Sequence, residues 1–363
     1  MKRKNNHYVP QFHLRQWSHN NRGVSSYNKR NKKYVPYRPI QHTASKDYFY
    51  GKDTITEEVL GDFESQIAPV YQKIFNQKNL NNFSDIEKEL LLLQLAMSDS
   101  RTLEAGNVFE QYSKEIFKKL VEFENAKGTT TLKPEDMDDI KIVDSSHIPL
   151  TNAMQYYMVL ADLKFVLIRN TSNVEFLTSD SPSVLYNHWF AHRKIYQNGW
   201  GQASAGVTIF MPISPHMAIM AIDTSIYEIT KPLQHNDTLI LNQDGQINEL
   251  NKLILADSNN EVFFSPNVKE SYIKRLLKTI PEIEQERVSV LENGNQTMFL
   301  YSEKRVWFSL NLTFLKVHKD FANLPIPQDM RGLVRPFAEA TLYHLDRYWK
   351  QEEEKYKREN NID

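Results

Sequence analysis

The sequence predicts an α+β fold, in which an N-terminal β-hairpin and a helical segment pack on a mixed, mainly antiparallel sheet. Strand-like stretches near the N-terminus are followed by three helical patterns, and short apolar strands dominate after residue 150. Strands and helices are therefore segregated along the chain instead of alternating. We expect one composite domain with four parts, namely a basic hairpin segment (1–52), a helical segment (53–128), an α+β segment (150–345) and a frayed tail (346–363).

The first segment has the pattern of a hairpin with a basic tip. Residues 24–27 and 34–37 are strand-like, and a run of Asn, Lys and Arg separates them. Pro36 and Pro39 place the second strand at a sheet edge, because proline cannot donate a backbone hydrogen bond.

Three helices are expected next, because apolar residues recur at helical spacing in 59–74, 86–97 and 108–123. Ser84 and Glu87 form a capping box at the start of the second helix. Pro69 should kink or interrupt the first helix.

The sequence after residue 150 predicts a β-sheet, because it contains short apolar strand-like stretches. Two strand pairs are expected, 163–169 with 174–178 and 207–211 with 217–222. Single strands are expected at 261–264, 298–301 and 306–312, and a helix at 268–278.

Charge is distributed unevenly along the chain. The net charge is −1, yet residues 1–46 contain eleven Lys or Arg and no Asp or Glu. Clustered cations repel one another unless an anion offsets them. The N-terminal segment therefore predicts nucleic acid or another polyanion as a partner, with Lys29, Arg30, Lys32 and Lys33 contacting it.

Composition excludes several classes of site. The chain has no cysteine, which rules out disulfides, thiolate metal sites and iron–sulfur clusters. Dinucleotide-binding, P-loop and nucleophile-elbow motifs are absent. The histidines lack metal-type spacing, so zinc is not expected. Because no apolar run approaches the ~20 residues that span a bilayer, we expect a cytoplasmic protein without a membrane partner.

The first candidate site lies between His7 and Trp17. In an extended chain, His7, Gln11, His13 and Arg15 would share a face; in a helical turn after Pro10, Gln11 and Arg15 would align. His7 and Gln11 are the catalytic candidates, and Arg15 and His13 would bind substrate. The structural alternative is a hydrogen-bonded His7 and a surface Arg15 that hold an N-terminal strand.

The second candidate is the apolar strand ending at residues 178–182, Thr-Ser-Asp-Ser-Pro. Strand ends often carry functional groups. Asp180 could orient a histidine, act as a base or bind a divalent metal such as Mg²⁺ or Mn²⁺, and Ser179 could contact substrate. The alternative is a local turn that Pro182 stiffens.

Two further charged residues are weaker candidates. Arg101 continues an apolar helix face, so it needs a phosphate or an acidic partner. Glu64 beside Phe63 is a second potential metal ligand. A structural ion pair is the alternative for each.

These residues resemble a known family. The string from Asn6 to Arg15 is similar to the N-terminal signature of an uncharacterised, mainly bacterial family, domain of unknown function 4238. Supporting similarities are Tyr48-Phe49-Tyr50, Phe63-Glu64, Gln94, Ser100-Arg101-Thr102, the string from Phe176 to Pro182, that from Pro212 to Pro215, and Glu249-Leu250-Asn251. The chain departs from the family pattern at Trp17 and Leu103. The resemblance implies that His7, Gln11 and Asp180 matter, but it implies no reaction.

Three functional hypotheses follow. A nuclease-like hydrolase would use His7, Gln11 and Asp180 for chemistry and Arg15 for phosphate, which requires these residues to converge in space. A non-catalytic module would bind nucleic acid or an acidic protein through the basic hairpin. A third, less favoured hypothesis is an enzyme acting on a small nucleotide-like molecule.

Overall fold

The computed structural model describes residues 5–51, 55–143, 145–193, 201–235, 237–281, 288–293, 296–301, 306–324 and 333–360. Its α-helices are α1 (Gln11–Leu14), α2 (Ile55–Gln77), α3 (Asp85–Ser100), α4 (Leu103–Lys127), α5 (His147–Tyr156), α6 (His188–Arg193), α7 (Asp244–Asp257), α8 (Glu270–Leu277), α9 (Lys319–Ala322) and α10 (Pro336–Asn360). Short 3-10 helices are Arg15–Trp17, Ile40–His42, Pro134–Asp139 and Tyr157–Leu160.

The strands are β1 (Asn5–His7), β2 (Gly23–Asn28), β3 (Lys33–Pro39), β4 (Ser45–Asp47), β5 (Lys164–Asn170), β6 (Thr178–Ser179), β7 (Val184–Tyr186), β8 (Thr208–Ser214), β9 (Met217–Ile222), β10 (Tyr227–Ile229), β11 (Thr238–Leu241), β12 (Glu261–Phe264), β13 (Val288–Asn293), β14 (Gln296–Tyr301) and β15 (Leu315–Val317). The predicted α+β class is confirmed.

A five-stranded sheet forms the centre of the fold, in the order β11-β5-β9-β8-β7. Only the β11–β5 pair is parallel, so the sheet is mixed and mainly antiparallel, as predicted. The expected pairing of β8 with β9 is present. Because successive side chains of a strand point to opposite faces, Val166 and Leu167 enter two different apolar cores.

The two cores place helices α2 and α3 on one side of this sheet and helices α7 and α8 on the other. One core joins Leu167 and Ile219 to Trp17 and to residues of α2 and α3. The other joins Val166 and Met220 to residues of α7 and α8. The predicted packing of the helical segment on the sheet is therefore confirmed.

A second sheet, in the order β3-β2-β12-β6, carries the predicted hairpin. β2 pairs with β3, and β3 is the last strand on its side of the sheet. Pro36 and Pro39 have no backbone N–H to donate, and an edge strand tolerates this because one side of it is not paired with a strand. Two-stranded pairs β1–β4, β10–β15 and β13–β14 complete the described strands.

Some local predictions were wrong. Residues 174–177 are not a strand, and β5 instead pairs with β9 and β11. Residues 306–312 are also irregular. Pro69 does not interrupt α2, since the Ser65 carbonyl that loses a donor lies at the exposed surface.

The C-terminal segment forms a long helix. Residues 346–360, expected as a solvated helix end and a frayed tail, belong to the helix α10, and its last turns are exposed. The buried Arg335 fixes the start of this helix, because its guanidinium binds Asp162 and the carbonyl of Val159. No helix in the described part of the chain is long and apolar enough to cross a membrane.

The capping box of α3 generates a stability prediction. The Glu87 amide donates to Ser84 Oγ, and the Ser84 amide donates to Glu87 Oε2 at 2.7 Å. We expect Ser84→Ala to lower the free energy of unfolding by about 1 kcal/mol, measured by urea denaturation. The control Ser65→Ala lies in the exposed interior of α2, where alanine should be neutral or slightly stabilising. Equal effects of the two changes would argue against the cap.

Candidate functional site

The imidazole of His7 is held in one tautomer. β1 pairs with β4, which places His7 opposite Ser45 and beside the 3-10 turn that begins at Ile40. His7 Nε2 lies 3.3 Å from the Ile40 carbonyl oxygen. A carbonyl only accepts hydrogen bonds, so Nε2 carries the proton and Nδ1 presents a lone pair. His7 can therefore accept a proton at Nδ1.

Gln11 and Arg15 lie next to this lone pair. The chain forms a helical turn after Pro10, so the helical one of the two predicted arrangements is correct. Gln11 Nε2 is 3.5 Å from His7 Nδ1, and Arg15 Nη2 donates to Gln11 Oε1 at 3.1 Å. The three predicted side chains thus form one row, from the half-buried His7 to the exposed Arg15.

Electrostatics keep His7 neutral near pH 7. Burial lowers the pKa of His7 below its ordinary value of 6.5, although the Ile40 carbonyl and the charge of Glu64 oppose the shift. Desolvation disfavours the charged imidazolium, so the base form persists at lower pH than in an exposed histidine.

Arg101, which was predicted to need a phosphate or an acidic partner, contacts three groups of the protein itself. Its side chain is only 5% exposed and lies at the C-terminal end of α3. The guanidinium donates to Tyr50 Oη at 2.6 Å, to Glu64 Oε1 at 2.7 Å and to the His7 carbonyl at 2.6 Å. Arg101 therefore fixes the backbone carbonyl of His7.

Tyr50 also belongs to this arrangement, although residue patterns alone did not identify it. Its ring is buried, and burial raises its pKa to about 12, against the opposing effect of Arg101. The neutral hydroxyl accepts from Arg101 and lies 3.4 Å from the His7 carbonyl. The only sequence signal for it was the aromatic run Tyr48-Phe49-Tyr50, which residue type could not distinguish from ordinary core.

Asp180 occupies a separate environment. Its carboxylate accepts hydrogen bonds from the amides of Asn259, Asn260 and Glu261, at 2.8–2.9 Å. Burial raises its pKa to about 6, while these amides and the nearby Lys29 lower it. Within the described residues no side chain hydrogen-bonds to this carboxylate, so a direct His7–Asp180 pair is not formed. Asp180 instead holds the turn that leads from α7 into β12.

The two predicted strings nevertheless meet, at residues other than those expected. His13 Nε2 lies 2.9 Å from Thr178 Oγ1, and the Trp17 indole donates to the Phe176 carbonyl at 2.8 Å. His13 is fully buried, and burial lowers its pKa to about 3. The contact joins the N-terminal string to the end of the Thr-Ser-Asp strand through the core.

Two of the predicted substrate contacts are therefore corrected. His13 has no exposed surface, so it acts as a neutral core residue. Ser179 is also fully buried, and its hydroxyl donates to the Ser181 carbonyl at 2.7 Å. Neither side chain can reach a substrate without opening of the core.

The predicted metal ligands are engaged elsewhere. Asp180 binds three amides, and Glu64 binds Arg101. No group of three or more His, Asp or Glu side chains that could hold a metal ion is found in the described residues. The ion-pair alternative for Glu64 and Arg101 is thus the arrangement present.

The basic hairpin divides its charges between two roles. Lys29 Nζ donates to the Leu255 carbonyl at 2.8 Å, at the C-terminal end of α7, where the helix dipole favours a cation. Arg30, Lys32 and Lys33 are exposed, and their side chains have no hydrogen bond or ion pair to any other described residue. Lys29 therefore holds the hairpin, and the other three cations face solvent.

Comparison with known proteins gives one match. The family model described as "Protein of unknown function (DUF4238)" matches residues 5–268, which include His7, Gln11, Arg15, Arg101 and Asp180. No curated protein and no solved structure is significantly similar to the chain.

Asp180 provides a test of the structural role. Asp180→Asn replaces a carboxylate oxygen by an N–H₂ group that faces backbone donors, which leaves amides without an acceptor. We expect the free energy of unfolding to fall by about 1–3 kcal/mol, measured by urea denaturation. The control Asp62→Asn on the exposed side of α2 should change it by less than about 0.5 kcal/mol. Unchanged stability of Asp180→Asn would contradict the structural assignment.

Proposed function

Because the chain belongs to the DUF4238 family of proteins of unknown function, which names no reaction, we propose from the site itself that the protein cleaves phosphodiesters of nucleic acid. His7 acts as general base, Arg15 binds the phosphate and Gln11 orients the reactants. The observation that carries the proposal is the lone pair of His7 Nδ1, which a fixed tautomer directs toward Gln11 and the exposed Arg15.

His7 has the properties that a base requires. Its lowered pKa keeps the imidazole neutral near pH 7. The Ile40 carbonyl orients the ring in the way that a second hydrogen-bonding group orients many catalytic histidines. At 3.5 Å, the contact from Gln11 is longer than an ordinary hydrogen bond, so a water or hydroxyl can replace it at small energetic cost.

Arg15 supplies the positive charge beside this base. Its guanidinium is exposed and uses one N–H on Gln11, which leaves other donors for two phosphate oxygens. In the proposed step, water attacks phosphorus while His7 Nδ1 takes its proton. The P–O ester bond breaks, and the leaving oxygen takes a proton from solvent.

Arg101, Glu64 and Tyr50 act through His7 instead of touching substrate. The buried guanidinium fixes the His7 carbonyl, and Glu64 balances its charge. Catalytic groups need positions accurate to about 0.5 Å, which supporting hydrogen bonds of this kind provide. The core of the proposed site is therefore His7, Gln11 and Arg15, with Asp180 outside it.

A non-catalytic module that binds nucleic acid or an acidic protein is the second candidate. The observation that favours it is the tip of the β2–β3 hairpin, where Arg30, Lys32 and Lys33 are exposed on a turn that Asn28 and Asn31 brace. Fixed exposed cations bind polyanions whether or not a reaction follows.

The His7 prediction separates these two functions. His7→Gln keeps a hydrogen-bonding side chain but cannot take up a proton near neutral pH. We expect it to melt like the wild type and to lose about 10²–10⁴-fold in turnover of a nucleic-acid or chromogenic phosphodiester substrate. Wild-type kcat/KM should fall as pH decreases, with a midpoint below 6.5, because the pKa of His7 is lowered.

The matched control is His19→Gln, which changes an exposed histidine of the same basic segment and should leave turnover unchanged. Full activity of His7→Gln would remove His7 from the mechanism. A wild-type protein that binds nucleic acid but cleaves neither substrate would favour the binding module.

The hairpin tip yields a second functional prediction. Arg30, Lys32 and Lys33, changed together to Gln, should weaken nucleic-acid binding and reduce its logarithmic salt slope by about two to three, since each lost phosphate contact removes about 0.7–0.9. Lys29 is left intact because it anchors the hairpin. Fluorescence anisotropy over a salt series measures both quantities.

The control removes the same charge from α10, by changing Arg347, Lys350 and Lys355 to Gln. An equal loss of salt dependence in both triple variants would show that net charge matters and the hairpin tip does not.

A further inference from the structure

Tyr37 is a large aromatic residue that the fold leaves in solvent. It lies on β3, the edge strand of its sheet, and the residue is 52% exposed. In the described residues its hydroxyl has no hydrogen-bond partner. Neither core packing nor a local polar contact therefore accounts for a tyrosine at this position.

Gly23 makes room for the Tyr37 ring. A Cβ atom added to Gly23 would lie 2.6 Å from Tyr37 Cζ and 2.8 Å from Cδ2, distances that real Cβ atoms do not adopt. Only glycine lets the ring lie this close to the backbone of β2. The ring is thus supported on one side by the strand, while much of its surface stays exposed.

A β-bulge sets the direction of Tyr37. Val24 pairs with Arg38 and Ser26 with Val35, so Pro36 and Tyr37 together face the single residue Ser25. The Ser25 hydroxyl donates to the Pro36 carbonyl at 2.8 Å, which holds the bulge. Bulges commonly re-aim a side chain at the edge of a sheet.

β3 connects the basic tip to the proposed active site. It starts at Lys33, passes Tyr37 and ends at Pro39, and the next residue, Ile40, holds the His7 ring. At 3.3 Å per residue, Lys33 and Ile40 are about 23 Å apart along the strand. This length corresponds to about seven stacked nucleotides at 3.4 Å each.

The hairpin is fixed to the body of the protein at two charged residues. Lys29 binds carbonyls at the end of α7, and Arg38 pairs with Glu261 on β12. The exposed tip cations and the Tyr37 ring are therefore carried on one anchored hairpin, and the turn that follows it contacts the His7 ring on β1.

We propose that β3 binds single-stranded nucleic acid, with one base stacked on Tyr37 and the neighbouring phosphates on Arg30, Lys32 and Lys33. The assignment rests on the proposed function, since it places the phosphodiester that is cleaved at His7 and Arg15. Aromatic rings accept any unpaired base face, and a cationic surface follows the backbone. A duplex keeps its bases stacked inside, so it cannot use Tyr37.

The experiment measures binding separately from cleavage. All variants carry His7→Gln, and fluorescence anisotropy follows labelled single-stranded and duplex oligonucleotides of equal length. Tyr37→Ala removes the ring, Tyr37→Phe retains it, and Tyr37→Leu covers Gly23 without offering an aromatic face. Thermal melting of each variant shows whether the hairpin is intact.

We expect Tyr37→Ala and Tyr37→Leu to weaken single-strand binding by about 5- to 150-fold, the range of one stacked base, and Tyr37→Phe to bind like the parent. Duplex binding should not depend on residue 37. Single strands shorter than about seven nucleotides should lose the contribution of the tip cations.

Unchanged single-strand binding by folded Tyr37→Leu would overturn this inference, as would a polyglutamate peptide that binds with the same dependence on Tyr37. Either result leaves the proposed function intact if the protein with native His7 still cleaves phosphodiesters. Tyr37-dependent binding without any cleavage would support the single-strand site and overturn the enzymatic proposal.

Discussion

The buried guanidinium of Arg101 is the constraint on which the candidate site depends. It joins Tyr50, Glu64 and the His7 carbonyl, three positions that are far apart in the sequence. A guanidinium with 5% exposure needs acceptors of this kind, and removing one partner of a buried pair costs about 3–5 kcal/mol. The placement of His7 is consequently tied to the end of α3 and, through Glu64, to α2.

Periodicity predicted the elements whose partners are near in sequence. The helices α2 to α4 and the hairpins β2–β3 and β8–β9 follow from apolar spacing and turn residues alone. The apolar run at Phe176 and Leu177 did not become the predicted strand. Its backbone amides donate to the Pro215 carbonyl and to the Asn251 side chain instead of to a neighbouring strand. The periodicity of apolar residues cannot predict such contacts.

In the candidate site, too, the sequence predicted the local contacts and not the distant ones. Residue type identified His7, Gln11 and Arg15, and the i, i+4 spacing of the last two was sufficient to bring them together. Residue type could not show that His7 is partly exposed whereas His13 is buried, because this difference depends on the path of the backbone. The helical turn at Gln11 directs His13 into the core against Thr178, and the apolar surroundings decide its charge. Asp180 has a structural role, because its carboxylate accepts hydrogen bonds from three backbone amides of a turn that is distant in sequence. The residues around Asp180 in the sequence could not reveal these partners.

The basic residues among the first 46 fall into two groups, those paired within the protein and those exposed to solvent. Lys29 and Arg38 are offset within the protein, by helix carbonyls and by Glu261. Arg30, Lys32 and Lys33 are left in solvent, on the turn that these internal contacts hold in place. Because the anchored cations set the position of the exposed ones, the hairpin presents its charge at a defined distance from His7 instead of as a diffuse basic tail. Under the proposed function, this defined distance lets the charge at the tip and the imidazole act on the same extended ligand, and composition alone cannot supply such a distance.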